Sequence, residues 1–122
     1  MFDYTLLLSA ILFVCIDFFY LNLMKNYFNK QIQAIQGTPI KMNLLATVIC
    51  YIFLIFGLNY FIIQPKRSVR DAFLFGIVIY GVYETTNWAL FSKWYPLSVI
   101  IDTLWGGILF ALTTSIIRLI RD

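Results

Sequence analysis

Three acidic side chains stand where acids are costly. Asp17, Glu84 and Asp102 each lie inside a long apolar run, and in hydrocarbon such a side chain costs about 2.5–3.5 kcal/mol unless it faces protein or a wet cavity. The stretch from Tyr80 to Gly107 carries two of them, with all three tryptophans and a turn ending in Pro96. Carboxyl groups that meet in one low-dielectric pocket cannot all stay ionised, because like charges and desolvation both favour the protonated form. At least one is expected to hold a proton near neutral pH, with the group titrating as a coupled set. That chemistry is proton or cation exchange. The same residues have another use, a hydrogen-bonded polar core in which one acid donates to another and helix register is fixed.

Helical spacing nominates the neighbours. Tyr20, Leu21 and Met24 follow Asp17 on one face, which makes Tyr20 its nearest expected hydroxyl. Tyr80, Glu84, Asn87 and Phe91 share a face, so Tyr80 and Asn87 are expected to donate to Glu84. Ser98, Asp102, Trp105 and Gly106 share another. The candidate site is therefore Asp17, Glu84 and Asp102 as exchanging groups, supported by Tyr20, Tyr80, Tyr83, Asn87 and Trp105.

The elements that must position these side chains follow from composition. Of 122 residues, 61% are hydrophobic and 12% charged, where soluble domains run about 45–50% and about 25%. Mean hydropathy is +0.84. A chain this short cannot hide four long apolar runs behind a polar shell, so lipid is the shell. The expected fold is an all-α membrane protein, a four-helix transmembrane bundle forming one domain over residues 1–122.

The spans are expected at about Tyr4 to Met24, Leu44 to Ile63, Ala72 to Ser92 and Leu97 to Ile117. The start of the chain lacks a cationic region and carries Asp3, so the first run is expected to be a retained span. Between the first two spans, Lys25 to Asn43 is polar, with Phe28, Ile32 and Ile35 at helical spacing. It reads as a short amphipathic segment at the interface, continuing or turning from the first span, ended by Gly37 and Thr38-Pro39. The second span carries no charge and is expected to serve packing. Trp94 and Tyr95 are placed in an interfacial aromatic belt, and Pro96 opens the last helix in the favourable first turn. Along that helix Thr103, Gly107, Ala111 and Ser115 recur every four residues, a helix-packing stripe.

Depth along antiparallel helices, counted at about 1.5 Å of rise per residue, puts Asp17, Glu84 and Asp102 in the same half of the membrane. A single cavity is then geometrically open to them. No Lys or Arg lies within the spans, although Lys25 or Lys93 could reach down from the interface.

Other classes are excluded or left without support. Basic residues are scattered at the span ends and form no nucleic-acid readout module; their expected partner is the lipid bilayer. Histidine is absent, which removes histidine metal sites and the usual catalytic triads. Cys15 and Cys50 are far apart in apolar runs and read as buried small hydrophobes. No metal or cofactor is expected, and the carboxylates alone specify no enzyme chemistry. Lys66, Arg67, Arg70, Arg118 and Arg121 share the side of both termini, against Lys25, Lys30, Lys41 and Lys93 on the other; the compact Arg-rich loop favours cytoplasmic termini.

The second half of the chain carries Tyr80-Gly81, Tyr83-Glu84, Thr86-Asn87, Trp94, Pro96, Asp102 and Trp105-Gly106, preceded in the first half by Asp17, Leu21, Tyr27 and Gln31. In these residues the chain resembles the small four-span membrane proteins grouped as domain of unknown function 2177 (DUF2177), found in bacteria and in some large DNA viruses. Glu84 stands where the family's usual residue resembles Asp, which keeps the acid and lengthens its reach by one methylene. The resemblance implies the topology and a shared set of polar positions, and it implies no activity. Two functions are therefore carried forward. One is a proton- or cation-linked small carrier or channel component. The alternative is a structural subunit or scaffold of a homo-oligomer or larger membrane assembly, for a viral member a virion membrane protein.

Overall fold

The computed structural model describes residues 4–38 and 40–121. Four helices follow one another: α1 (Tyr4–Gln36), α2 (Leu44–Leu58), which continues through a π-helical turn (Asn59–Ile63), α3 (Val69–Leu90) and α4 (Pro96–Arg121). Among the described residues there is no strand. The fold is an all-α membrane bundle.

α1 is 33 residues long, about 50 Å, so it overshoots a hydrocarbon core of about 30 Å. The amphipathic segment is thus the far end of the first helix, with Phe28, Ile32 and Ile35 half-buried. Gly37 stops it: its φ of 80° is left-handed, and its N–H closes on Gln33 O at 2.8 Å. Pro39, expected to share in this stop, lies outside the described residues, as does Asp3.

α2 starts where Asn43 accepts the Ala46 N–H at 3.1 Å, and α3 where Ser68 accepts the Asp71 N–H at 3.0 Å. Asp71 sits in the first turn of α3, where its charge suits the helix dipole. Pro96 opens α4 as expected.

Three helices are long and apolar enough to cross a membrane: Tyr4–Gln36, Leu44–Ile63 and Pro96–Arg121. α3, expected to span as well, is not among them. Its apolar first half gives way to Glu84-Thr85-Thr86-Asn87, and it ends at Leu90, where Phe91 turns extended. The acid on this face is turned inward, against α4.

α4 is the central helix, with more buried positions than any other. α3 lies antiparallel on it at a glycine crossing. A Cβ on Gly76 would collide with the backbone carbonyl of Gly106, and one on Gly107 would come within 2.7 Å of Phe73. The expected small-residue stripe therefore packs inside the chain: Gly107 meets Phe73 and Ile77, and Thr103 approaches Gly81, with Ala111 and Ser115 half-buried. α1 lies antiparallel on the other side of α4, with Phe13 edge-on to Phe110 at 5.3 Å. α2 closes the bundle through Tyr51 against Phe13 and Phe61 against Phe75.

The core is Phe13, Leu58, Ile62, Ala72, Leu109 and Phe110. Cys15 and Cys50, expected to be buried, are exposed on the outer surface. The reason is physical: in lipid the outside of a bundle is as apolar as its inside, so a small hydrophobe in an apolar run has no preference for the core.

The crossing generates a stability test. Gly76→Ala is expected to cost about 1–3 kcal/mol through overpacking, whereas a Cβ on Gly81 meets only Thr103 Cγ2 at 3.5 Å, so Gly81→Ala is expected to be neutral or slightly stabilising. Thermal unfolding in detergent, followed by circular dichroism, separates the two; equal effects would contradict the close approach.

Candidate functional site

Asp17 from α1, Glu84 from α3 and Asp102 from α4 come together in one buried cluster, only 6%, 1% and 9% exposed respectively. Each helix delivers its acid from a face that packs against a neighbour.

Glu84 and Asp102 face each other within hydrogen-bonding reach. Two carboxyl groups can bond in this way only when one of them carries a proton to donate. The pair is held from both ends: Trp94 Nε1 donates to Glu84 Oε1 at 3.0 Å, and the Tyr20 hydroxyl donates to Asp102 Oδ1 at 3.1 Å.

Asp17 is held separately. Tyr51 donates to Oδ2 at 2.5 Å, and Trp105 Nε1 donates to Oδ1 at 2.8 Å. Asp17 joins the pair through two stacked rings, Tyr20 and Trp105, parallel within 3° at 4.4 Å. One ring serves Asp102 and the other serves Asp17, so the three acids form one contiguous network.

Several sequence expectations are corrected here. Tyr20 lies three residues after Asp17, about 60° round the helix, and its ring crosses to α4 and serves Asp102. The hydroxyl on Asp17 is Tyr51, from the uncharged second helix expected only to pack. Tyr80 and Asn87 do not serve Glu84. Tyr80 fills the space over Gly106 and packs edge-on to Phe110, while Asn87 lies one turn from the exposed Tyr83. Trp94, expected in an interfacial belt, is 6% exposed. The turn after α3, closed by the Trp94 N–H on Phe91 O at 3.0 Å, folds its indole back onto Glu84. Lys25 and Lys93 are exposed, and no Lys or Arg among the described residues pairs with the three acids.

A second polar group continues from Asp102 toward the end of the bundle where α4 begins. Ser98, one helical turn of about 5.4 Å away, donates to Gln31 Oε1 at 2.6 Å and lies 3.0 Å from the Tyr27 hydroxyl. The Tyr95 N–H donates to the same Gln31 oxygen at 2.9 Å. Gln31 is fully buried, yet its Nε2 has no partner among the described residues; the Thr103 hydroxyl, next to Asp102, has none there either. Tyr27 and Gln31 entered the sequence reading only as part of a family motif. Their burial inside a polar stretch offers no periodic signal that would have singled them out.

In the other direction the network ends abruptly. Phe13, Leu58, Leu109 and Phe110, all fully buried, form an apolar layer. Beyond it lie Ser9 and Asn59, where Asn59 Nδ2 donates to Ser9 Oγ at 3.0 Å, and then Thr113 and Thr114, which turn their hydroxyls to their own helix at 2.8 Å.

Among the described residues no group of three His, Cys, Asp or Glu side chains is placed to hold a metal ion. The arrangement brings three buried carboxyl groups together with four ring N–H and O–H donors.

Residues 3–119 match the family described as predicted membrane protein (DUF2177). The chain belongs to this family. No curated protein and no solved structure matches it. The family description carries the membrane assignment and no activity.

The two donors on Asp17 are expected to be worth stability. Tyr51→Phe and Trp105→Phe each leave a buried carboxyl oxygen unpaired, at a cost of about 1–3 kcal/mol. In an Asp17→Leu background the same substitutions are expected to cost far less, since the group they serve is gone. Thermal unfolding of the double-mutant cycle in detergent reads the difference, and equal costs in both backgrounds would show that the rings act by packing alone.

Proposed function

We propose that this protein is a small proton-linked membrane carrier or channel component, in which the Glu84–Asp102 pair binds and releases a proton and Asp17 is the third exchanging carboxyl. The observation that carries this reading is the approach of two buried carboxyl groups on neighbouring helices to within hydrogen-bonding reach, a pairing that a shared proton stabilises.

The distribution of polarity along the bundle supports it. The pair is continued toward one end by Ser98, Gln31 and Tyr27, and is cut off from the other by the layer around Phe13 and Phe110. A proton site flanked by polar side chains on one side and by an apolar layer on the other suits exchange from the polar side. Burial also favours protons over larger cations, because the acids are bonded to ring N–H and O–H donors and leave no coordination shell to offer.

A second reading has its own support. Tyr20, Tyr51, Trp94 and Trp105 match the three acids with donors, as in a polar core that fixes register. In that case the protein is a membrane scaffold or subunit.

Reconstitution separates them. With purified protein in liposomes carrying an internal pH dye and an imposed pH gradient, the wild type is expected to dissipate the gradient. Glu84→Gln, with helix content retained by circular dichroism, is expected to fall to the rate of empty liposomes. Wild-type proteoliposomes as tight as empty ones, combined with a loss of thermal stability in Glu84→Gln, would leave the polar core as the function of the cluster. We also propose that both termini face the cytoplasm, on the side of the Lys66, Arg67 and Arg70 loop; reporter fusions at the C-terminus read this directly.

A further inference from the structure

At the end of the bundle remote from Gln31 and Ser98 lies a cavity of about 180 Å³ lined by Ile63, Lys66, Thr114, Ile117, Arg118 and Arg121. We infer that this cavity binds the phosphate headgroup of an anionic lipid, with Lys66, Arg118 and Arg121 as its cationic ligands.

Three cations from two separate elements converge on one small volume. Lys66 comes from the turn after α2, and Arg118 and Arg121 come from the last turns of α4. Among the described residues no acid lines the cavity. Asp71, the acid of the neighbouring turn, is engaged by Arg67 at 2.9 Å. Like charges gathered with no acid among the described residues lining the cavity repel one another, and a bound anion removes that repulsion.

Two further details position the cations. Lys66 adopts φ 57°, a left-handed conformation uncommon outside glycine, at the turn where its N–H closes on Ile63 O at 3.1 Å. Arg121 lies over the Tyr4 ring at 5.7 Å, which ties the end of α4 to the start of α1.

Place decides between a lipid phosphate and a free one. The cavity sits where the apolar helices end, with Ile63 and Ile117 in its wall and the exposed Leu119 and Ile120 on the same stretch of α4. A headgroup held by the cations therefore has apolar surface beside it for its chains, which free phosphate cannot use. Basic pockets between membrane helices at the headgroup level recognise anionic lipids in this way.

The test uses the full-length protein in mixed micelles of detergent with phosphatidylglycerol or phosphatidylcholine, with retained lipid counted by native mass spectrometry. Wild type is expected to retain phosphatidylglycerol in preference to phosphatidylcholine. The variant Lys66→Asn with Arg118→Gln is expected to weaken that retention by about tenfold or more; Asn tolerates the left-handed backbone at position 66. Lys41→Gln with Lys93→Gln, which removes charge at the opposite interface, is expected to leave it unchanged. Equal retention of the two lipids by wild type, or equal losses in the two variant pairs, would overturn the site in favour of general surface charge. Displacement of phosphatidylglycerol by millimolar inorganic phosphate would overturn the lipid assignment and leave a free-phosphate site.

Discussion

A carboxyl group inside an apolar bundle must find donors, and this requirement organises the middle of the molecule. No Lys or Arg reaches the three acids among the described residues. A cation there would add its own desolvation cost, which pairing repays only with good geometry. The donors are instead ring groups: Tyr20, Tyr51, Trp94 and Trp105. An aromatic side chain suits this setting because it buries a large apolar body and offers one polar tip. Each ring fills core space and neutralises part of the burial cost in the same stroke.

These bonds also pin every element at one level. α1 supplies Asp17 and Tyr20, α2 supplies Tyr51, α3 supplies Glu84, the turn after it supplies Trp94, and α4 supplies Asp102 and Trp105. Apolar contacts are interchangeable in lipid, since tails compete with side chains for the same surface. Hydrogen bonds to a buried acid are not interchangeable. The register they set runs on in both directions along α1 and α4, through Phe13 on Phe110 at one end and Gln31 on Ser98 at the other. Away from the acids, the glycine crossing of Gly76 and Gly106 and the π-helical turn beginning at Asn59 do the same work by close approach and by a single polar contact to Ser9.

The sequence made some of this legible and concealed the rest for identifiable reasons. Apolar runs, Gly37 and Pro96 fixed where helices start and stop, because those signals are local. Counting residues gives Asp17, Glu84 and Asp102 a similar depth, and they do share one level of the bundle, because depth along a helix axis scales with sequence distance. Rotation about that axis and the identity of the neighbouring helix are not local. Helical spacing therefore gives Tyr20 to the acid on its own helix, whereas its ring serves the acid on another, and no local signal points to Tyr51. Trp94 has the composition of a belt residue, and only the fold of the turn reveals that its indole points inward. Cys15 and Cys50 show the limit in its simplest form, since an apolar run in lipid does not say which of its faces is the core.

Polarity varies along the bundle in a way that a register device alone does not require. A core that only fixes register needs its polar atoms matched at one level, with apolar packing on both sides. Here the acids are sealed by Phe13, Leu58, Leu109 and Phe110 on one side and continued by Ser98, Gln31 and Tyr27 on the other. That continuation leaves a fully buried Gln31 Nε2 without a partner among the described residues, a group whose desolvation costs about 1–3 kcal/mol. On the reading proposed above, proton exchange from the Gln31 side gives this asymmetry a use; a core that only fixes register carries it as a cost of the fold.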